Sequence, residues 1–250
     1  MHFSIIQNIV IAAAIIFVAS LLTAAPFVVP EGAVAQIESP VSPSAFTRDS
    51  SWNSNYSEGR ILFTENCADC HGKTGKGGLG LPLNLQSFLV IADKGYLVRS
   101  MIYGRETRGM PSFKDELTPA QMQSVALFIK SWQYQPSLRL PEGKVTGDAT
   151  DGAKLFRGIC AGCHGLDGKG GPEAGGGHVI GAASGIGGPA LTDKGFLSSA
   201  TDAYIKATLM NGRIGTPMGS YLKGRQGFVE LREHEIDNIV AYLRSLELKE

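Results

Sequence analysis

The pattern Cys-x-x-Cys-His occurs twice in this chain of 250 residues, at 67–71 and 160–164, and it accounts for all four cysteines. Two thiols that lie one helical turn apart can both reach the vinyl groups on one edge of a porphyrin, and the histidine that follows then faces the iron. This spacing is the attachment signature of a c-type haem. The sequence therefore predicts two covalently bound haems. The expected haem-binding cysteines and iron-ligating histidines are Cys67, Cys70, Cys160, Cys163, His71 and His164.

Other uses of the four cysteines explain less of the sequence. Four thiolates could hold a zinc ion, but the two histidines and the glycine-rich stretches after them would then have no role. A redox-active Cys-x-x-Cys pair is expected in a βαβ context, which this sequence lacks. Disulfides are plausible in an exported protein, but a disulfide within each motif would cross-link very little of the chain.

The two motifs lie in matching blocks of an internal repeat. Residues 57–63 resemble residues 150–156, and the haem motifs keep the same offset of 93 residues. The offset then grows to 100 at 93–97 and 193–197, and to 108 at the two Gly-Arg pairs that begin at 104 and 212. The repeat predicts two small domains of one design. The predicted boundaries are 56–137 for the first domain, 138–146 for a linker and 147–250 for the second domain.

Both repeats contain apolar residues at helical spacing and no convincing alternating strand, which predicts an all-α fold. Thr118, Pro119 and Gln121 form a capping-box pattern at the start of the last helix of the first repeat. The first helix of each repeat is expected to begin near Ser57 or Thr150, whose hydroxyl groups could cap it. Domains this small and this rich in glycine would need a large apolar group at their centre.

A haem iron held by one histidine has either a second axial ligand or an open position, and a methionine thioether is a common second ligand in electron carriers. Six methionines are present. Met110 and Met218 coincide in the repeat at the offset of 108, and each has a proline neighbour. Met101, Met122 and Met210 align with apolar residues that cannot bind iron, so we expect them in the core. The sequence predicts Met110 and Met218 as iron ligands.

A histidine that binds a metal usually donates its other ring N–H to a fixed acceptor. A backbone carbonyl in the loop after each haem motif could serve. Pro82 and Pro189 occupy comparable places in those loops, and proline stiffens the backbone there. We therefore assign both prolines to the haem-binding set, with an ordinary loop proline as the alternative.

Residues 1–30 are expected to form a transmembrane anchor or an uncleaved signal. The run 9–29 is apolar apart from Ser20, Thr23 and Pro26, and about 20 such residues suffice to cross a bilayer as a helix. A cleaved secretory signal with a small-residue site at 33–35 is the alternative, although the charged start of such a signal is missing. Residues 31–55 are rich in proline, serine, alanine and glycine, which predicts a flexible tether.

Each half of the chain resembles a class I cytochrome c domain, and the resemblance covers residues 57–250. It implies two tandem domains in which the first helix crosses the last, a proline carbonyl bonded to the haem histidine, and a methionine in a late loop. The whole chain resembles membrane-anchored dihaem cytochrome c subunits of respiratory complexes, with domains similar to those of the dihaem subunit of cbb3-type oxidases. The residues expected at the two helix crossings are Gly59, Phe63, Phe128 and Trp132, and Gly152, Phe156, Tyr242 and Leu246.

Motifs and resemblance together imply an electron-transfer protein without catalytic residues or a small-molecule substrate. Its haem domains would lie on the periplasmic or outer side of the cytoplasmic membrane. They would pass electrons from a quinol-oxidising complex or dehydrogenase to a terminal oxidase or soluble cytochrome. The balance of 23 basic and 23 acidic side chains argues against a nucleic-acid partner. The alternative is a dihaem redox enzyme, a peroxidase or a sulfur-compound oxidoreductase, which needs an open iron position with acid–base groups nearby.

Overall fold

The computed structural model describes residues 50–141, 143–170, 187–222 and 229–247, all within one compact unit. This described part is helical and contains no β-strand, only isolated β-bridges between Arg105 and Met110 and between Leu222 and Leu231. The predicted all-α class is confirmed. The α-helices of these residues are α1 (Ser50–Asn66), α2 (Ala68–His71), α3 (Gln86–Leu89), α4 (Lys94–Tyr103), α5 (Pro119–Lys130), α6 (Ala149–Leu155), α7 (Ala161–His164), α8 (Lys194–Ser199), α9 (Asp202–Asn211) and α10 (Glu233–Glu247).

The predicted membrane segment at 1–30 lies outside the described residues, as does most of the predicted tether. The last part of that tether, 50–55, belongs to helix α1 and so is not flexible coil. Among the described helices, none has both the length and the apolar character that a bilayer crossing requires.

The first and last helices of each predicted domain cross where a glycine lets their backbones meet. A Cβ atom on Gly59 of α1 would lie 1.9 Å from the Ser124 carbonyl oxygen of α5, and a Cβ atom on Gly152 of α6 would lie 1.9 Å from the Asn238 carbonyl oxygen of α10. Aromatic rings pack beside both crossings. The ring-centroid distances are 5.4 Å for Phe63–Phe128, 5.3 Å for Phe63–Trp132 and 5.4 Å for Phe156–Tyr242. The helix crossing that the resemblance implied is therefore present in both halves.

A helix tends to begin directly after a residue whose side chain can accept hydrogen bonds from the free backbone N–H groups of the first turn. The capping box of α5 is confirmed, since Thr118 accepts from the Gln121 N–H and Gln121 accepts from the Thr118 N–H. The expected start near Ser57 is wrong, because helix α1 begins at Ser50. The expected start near Thr150 is confirmed, since α6 begins at Ala149. Its cap is Asp148 and not Thr150, because the Asp148 carboxylate accepts from two backbone N–H groups, at 2.7 Å and 3.0 Å.

A basic side chain of the last helix in each half donates hydrogen bonds to the carboxyl end of one short helix. Lys130 of α5 donates to two carbonyls at the end of α3, at 2.6 Å and 2.9 Å. Arg244 of α10 donates to two carbonyls at the end of α8, one of them at 2.7 Å. These contacts identify α3 with α8 at the offset of 108. The acceptor carbonyls belong to Leu89 and Ala92 and to Leu197 and Ala200.

The offset of 100 predicted between 93–97 and 193–197 is wrong. Asp93 caps α4 whereas Asp193 caps α8, each by accepting from the backbone N–H three residues further on. Two similar peptides therefore begin different helices, because aspartate is a favourable cap for any helix. Helix α4 corresponds instead to α9, which Thr201 caps, and the two helices have equal lengths of 10 residues.

Arg244 also pairs with Asp202, a carboxylate that is 9% exposed, with 2.6 Å between Nε and Oδ1. We expect Arg244→Met to lower the free energy of unfolding by about 3 kcal/mol, because it leaves a buried charge without its partner. Urea unfolding followed by circular dichroism measures this. Lys154→Met breaks an ion pair between two exposed side chains and, as the control, should leave the midpoint unchanged. Equal midpoints for the two variants would contradict this role of Arg244.

Candidate haem-binding sites

Each Cys-x-x-Cys-His motif forms a single helical turn, α2 in the first half and α7 in the second. All four cysteines are free, and in each motif the first thiol is the more deeply placed. Burial raises the pKa of the Cys67 and Cys160 thiols to about 11, and the neighbouring cysteine of each motif adds to the shift.

The Nδ1 atom of each motif histidine forms a hydrogen bond with a backbone carbonyl in the loop that follows the motif. Nδ1 of His71 lies 2.8 Å from the carbonyl oxygen of Leu81, and Nδ1 of His164 lies 2.8 Å from that of Pro189. Burial lowers the pKa of both histidines, although these hydrogen bonds oppose the shift. A neutral imidazole whose Nδ1–H is donated in this way can offer Nε2 to a metal.

The predicted contact of Pro189 is confirmed, but the one predicted for Pro82 is wrong. The acceptor in the first half is the residue before it, Leu81. Gly80 and Gly188 donate equivalent backbone hydrogen bonds to Cys70 and Cys163, so Leu81 corresponds to Pro189 at the offset of 108. Pro82 corresponds to Ala190, and any residue can supply a backbone carbonyl.

A glycine covers the face of each histidine ring. A Cβ atom on Gly80 would lie 2.7 Å from Nδ1 of His71, and a Cβ atom on Gly188 would lie 2.6 Å from Nδ1 of His164. Any other residue at either position would have to displace the imidazole. Neither glycine stands out in the sequence, although each precedes the residue that accepts the histidine hydrogen bond.

The two predicted methionine ligands occupy equivalent positions in the backbone hydrogen-bond pattern. The N–H of Arg105 donates to the Met110 carbonyl and that of Arg213 to the Met218 carbonyl, both at 2.7 Å. Further matching bonds, from Phe113 to Met101, Tyr221 to Leu209, Ser112 to Ile102 and Ser220 to Met210, fix the same loop shape in both halves. The repeat register that selected Met110 and Met218 is therefore also the structural register.

In the second half the predicted ligands line one cavity. Cys160, His164 and Met218 face the same space of about 290 Å³, part of it open to solvent. The other walls are apolar or aromatic, which suits a porphyrin, and the donor set of one imidazole and one thioether suits its iron. The remaining wall residues are Phe156, Leu191, Leu209, Tyr221, Ile239 and Leu243.

The other methionines lie where the repeat predicted. Met101 and Met122 are buried in the hydrophobic core, and Met210 is half-buried against it. Among the described residues no group of three or more histidine, cysteine, aspartate or glutamate side chains is arranged to hold a bare metal ion.

Both halves match models of known protein families. Residues 149–247 match the family described as Cytochrome c. Residues 54–129 match the family described as Cytochrome C oxidase, cbb3-type, subunit III. The two matches together support covalently bound c-type haem at both Cys-x-x-Cys-His motifs.

Several curated proteins are similar to part of this chain. The Cbb3-type cytochrome c oxidase subunit FixP of Bradyrhizobium sp. (strain ORS 278) is 32% identical over 168 residues, which are 63% of this chain and 52% of that protein. The FixP subunit of Sinorhizobium medicae is 38% identical over 129 residues, 48% of this chain and 42% of that protein. The chain thus spans about half the length of the curated relatives it matches.

One solved structure has a comparable fold, the Kuenenia stuttgartiensis reducing HAO-like protein complex. It aligns with a TM-score of 0.50 and 22% identity, and the alignment covers 76% of this chain and 95% of that one. At this identity the likeness concerns the fold alone.

Proposed function

We propose that this chain, whose two halves match the family models named above, is a c-type cytochrome with a haem domain in each half, and that it takes up and releases one electron at each haem. The haem supplies the one-electron chemistry, with iron cycling between the ferrous and ferric states. The observation that carries the proposal is the cavity that Cys160, His164 and Met218 share. His164 and Met218 would both hold the iron, and with both ligands in place no substrate would bind to it.

The protein's own residues set the properties of each site in this proposal. The thioether of Met218, or of Met110 in the first half, favours the ferrous state and raises the potential. The apolar walls disfavour the extra charge of the ferric state. The carbonyls of Leu81 and Pro189 fix the histidine rings. The haem domains proposed are 56–137 and 147–250.

We further place the chain with a membrane-bound respiratory oxidase of the cbb3 type. The relatives named above are subunits of such oxidases. In this scheme residues 1–30 anchor the chain, and the haem domains lie on the periplasmic side. Electrons arrive from a quinol-oxidising complex or dehydrogenase. Reduced protein should then be reoxidised by membranes that contain a cbb3-type oxidase, and failure to do so would contradict this assignment.

Replacement of the two methionines tests the ligand assignment. Met110→Ala and Met218→Ala should each remove one of two methionine–iron(III) charge-transfer contributions from the near-infrared spectrum, because each variant lacks one thioether. Each should also lower one of the two potentials and let imidazole bind one iron. Met122→Leu, which changes a methionine of the core that is 2% exposed, is the control and should leave the spectrum unaltered. Unaltered spectra in both alanine variants would refute the ligand assignment.

A further inference from the structure

Both loops that carry a proposed methionine ligand reach across to the opposite half of the molecule. The first methionine loop is 105–110 and the second methionine loop is 213–218. Each begins with an arginine whose backbone N–H donates to the methionine carbonyl of the same loop, at 2.7 Å. The side chains of Arg105 and Arg213 then leave the loop and extend to the other half.

Arg213 joins the second methionine loop to the first half. Its guanidinium donates to the Ser87 carbonyl at 3.1 Å and lies over the Phe88 ring, 5.8 Å from the centroid. Within its own half it donates to Thr208 at 2.7 Å and to the Tyr204 hydroxyl at 3.0 Å. The side chain is therefore held at both ends, one in each half.

Arg105 makes the corresponding contacts in the reverse direction. Its guanidinium donates to the Ser199 hydroxyl at 3.3 Å and lies over the Phe196 ring, 5.7 Å from the centroid. Within its own half it donates to the Ser100 hydroxyl at 3.3 Å. Ser100 and Phe196 stand 108 positions from Thr208 and Phe88, so these two contacts of each arginine are equivalent. The hydrogen bonds to Ser199 and to Ser87 also cross between the halves, but they use different positions.

This exchange of equivalent contacts is the pattern of an isologous interface, in which two related units face each other across a two-fold axis. Tyr96 and Tyr204, also 108 positions apart, stack on each other with 4.0 Å between ring centroids and 14° between ring planes. The stacked pair lies where such an axis would pass. The two halves are thus docked through one self-complementary face.

We propose that Arg105 and Arg213 are positioning residues that clamp each methionine loop against the opposite half, so that docking of the two halves keeps the sixth position of both irons closed. The inference rests on the proposed ligands Met110 and Met218. Guanidinium–aromatic contacts and hydrogen bonds from a charged donor are strong enough for this role. Opening the interface would release both loops together.

The clamp is unequal on the two sides. The first methionine loop has two additional bonds to the second half, from Thr107 to the Asp193 carboxylate and from Arg108 to the Lys169 carbonyl. The second methionine loop has only one further hydrogen bond to the first half, from Ser87 to the Ile214 carbonyl at 3.3 Å. Its other neighbour there is apolar, because a Cβ atom on Gly215 would lie 3.4 Å from the side chain of Leu85. The second loop should therefore be the easier one to release.

The decisive experiment replaces an aromatic residue in one half and measures imidazole binding at the iron of the other half. Phe88→Leu, in the first half, removes the aromatic face under Arg213, and imidazole should bind the second iron roughly tenfold more tightly. Phe196→Leu should act on the first iron, with a smaller effect. The methionine methyl NMR resonance that is lost as imidazole is added identifies the iron, and Met110→Leu and Met218→Leu assign the two resonances. Arg139→Ala, an exposed arginine of the linker, is the control without effect.

Each outcome decides the matter. Tighter imidazole binding at the iron opposite the substitution supports the clamp, whereas a change confined to the substituted half, or no change, overturns it. If Phe88→Leu fails to fold, Arg213→Lys serves instead, since lysine keeps the charge but lacks the planar fork; unchanged binding in that variant overturns the clamp. If Met218→Leu keeps both methyl resonances, the ligand assignment itself is refuted, a failure that the clamp variants do not produce.

Discussion

The double variant Cys67→Ser/Cys70→Ser should carry one covalent haem per chain instead of two. A serine hydroxyl does not add to a vinyl group to form the thioether link, so only the second motif would remain attached. Mass spectrometry of the denatured chain measures this directly, because non-covalent haem is lost on denaturation. Cys160→Ser/Cys163→Ser should give the reciprocal product, with the single haem on the first half.

The control for this experiment lies inside the same motif. Asp69 is exposed between Cys67 and Cys70, so Asp69→Ala alters the motif while both thiols remain. It should keep two haems. A cysteine double variant that still carries two haems after denaturation would overturn the assignment of the motif as the attachment site.

Gly152→Ala should destabilise the second half by about 3 kcal/mol or more, since overpacking a tight contact forces the neighbouring backbone to move. The added Cβ atom would lie 1.9 Å from the Asn238 carbonyl oxygen and 2.9 Å from Cβ of Tyr242. Neither atom is the end of a flexible side chain, so α6 and α10 would have to separate. Urea unfolding followed by haem absorbance measures the loss, and Gly59→Ala should act in the same way on the first half.

A second glycine serves as the control, because its replacement changes helix propensity without causing a steric clash. Gly158 lies in the π-helical turn Phe156–Cys160 that follows α6 and has no heavy atom within 4 Å of an added Cβ. Alanine is favoured over glycine in a helix by about 1 kcal/mol. Gly158→Ala should therefore be neutral or slightly stabilising. Equal stability of the two variants would show that the close crossing at Gly152 is not required.

The parts of the fold that depend on side-chain identity were predictable from the sequence. The haem motifs and the capping box at Thr118 rest on residue types that few other arrangements would need, and the glycine–aromatic crossings followed from the family resemblance. The choice of Met110 and Met218 needed only the repeat register near each methionine. The structure adds matching backbone hydrogen bonds to both positions, and their role as ligands stays a prediction.

The wrong predictions share one physical origin. A backbone carbonyl or N–H group is the same in every residue type that supplies it, so the sequence does not show which residue uses it. The acceptor for His71 is a carbonyl, which Leu81 supplies as well as proline would. The apparent match of 93–97 with 193–197 arose because an aspartate cap suits any helix start. The contacts of Arg105 and Arg213 were not predictable, because their partners across the interface are remote in sequence.

The fixed imidazoles of His71 and His164 have a consequence for the speed of electron exchange. Each ring is pinned at Nδ1 by a carbonyl and covered on one face by a glycine backbone. If these histidines hold the irons as proposed, each ring would keep one orientation in both oxidation states. Little reorganisation energy is then spent on the ligand when an electron arrives or leaves, as for any polar group that is oriented before the charge changes. Glycine at 80 and 188 would thus keep the activation barrier low.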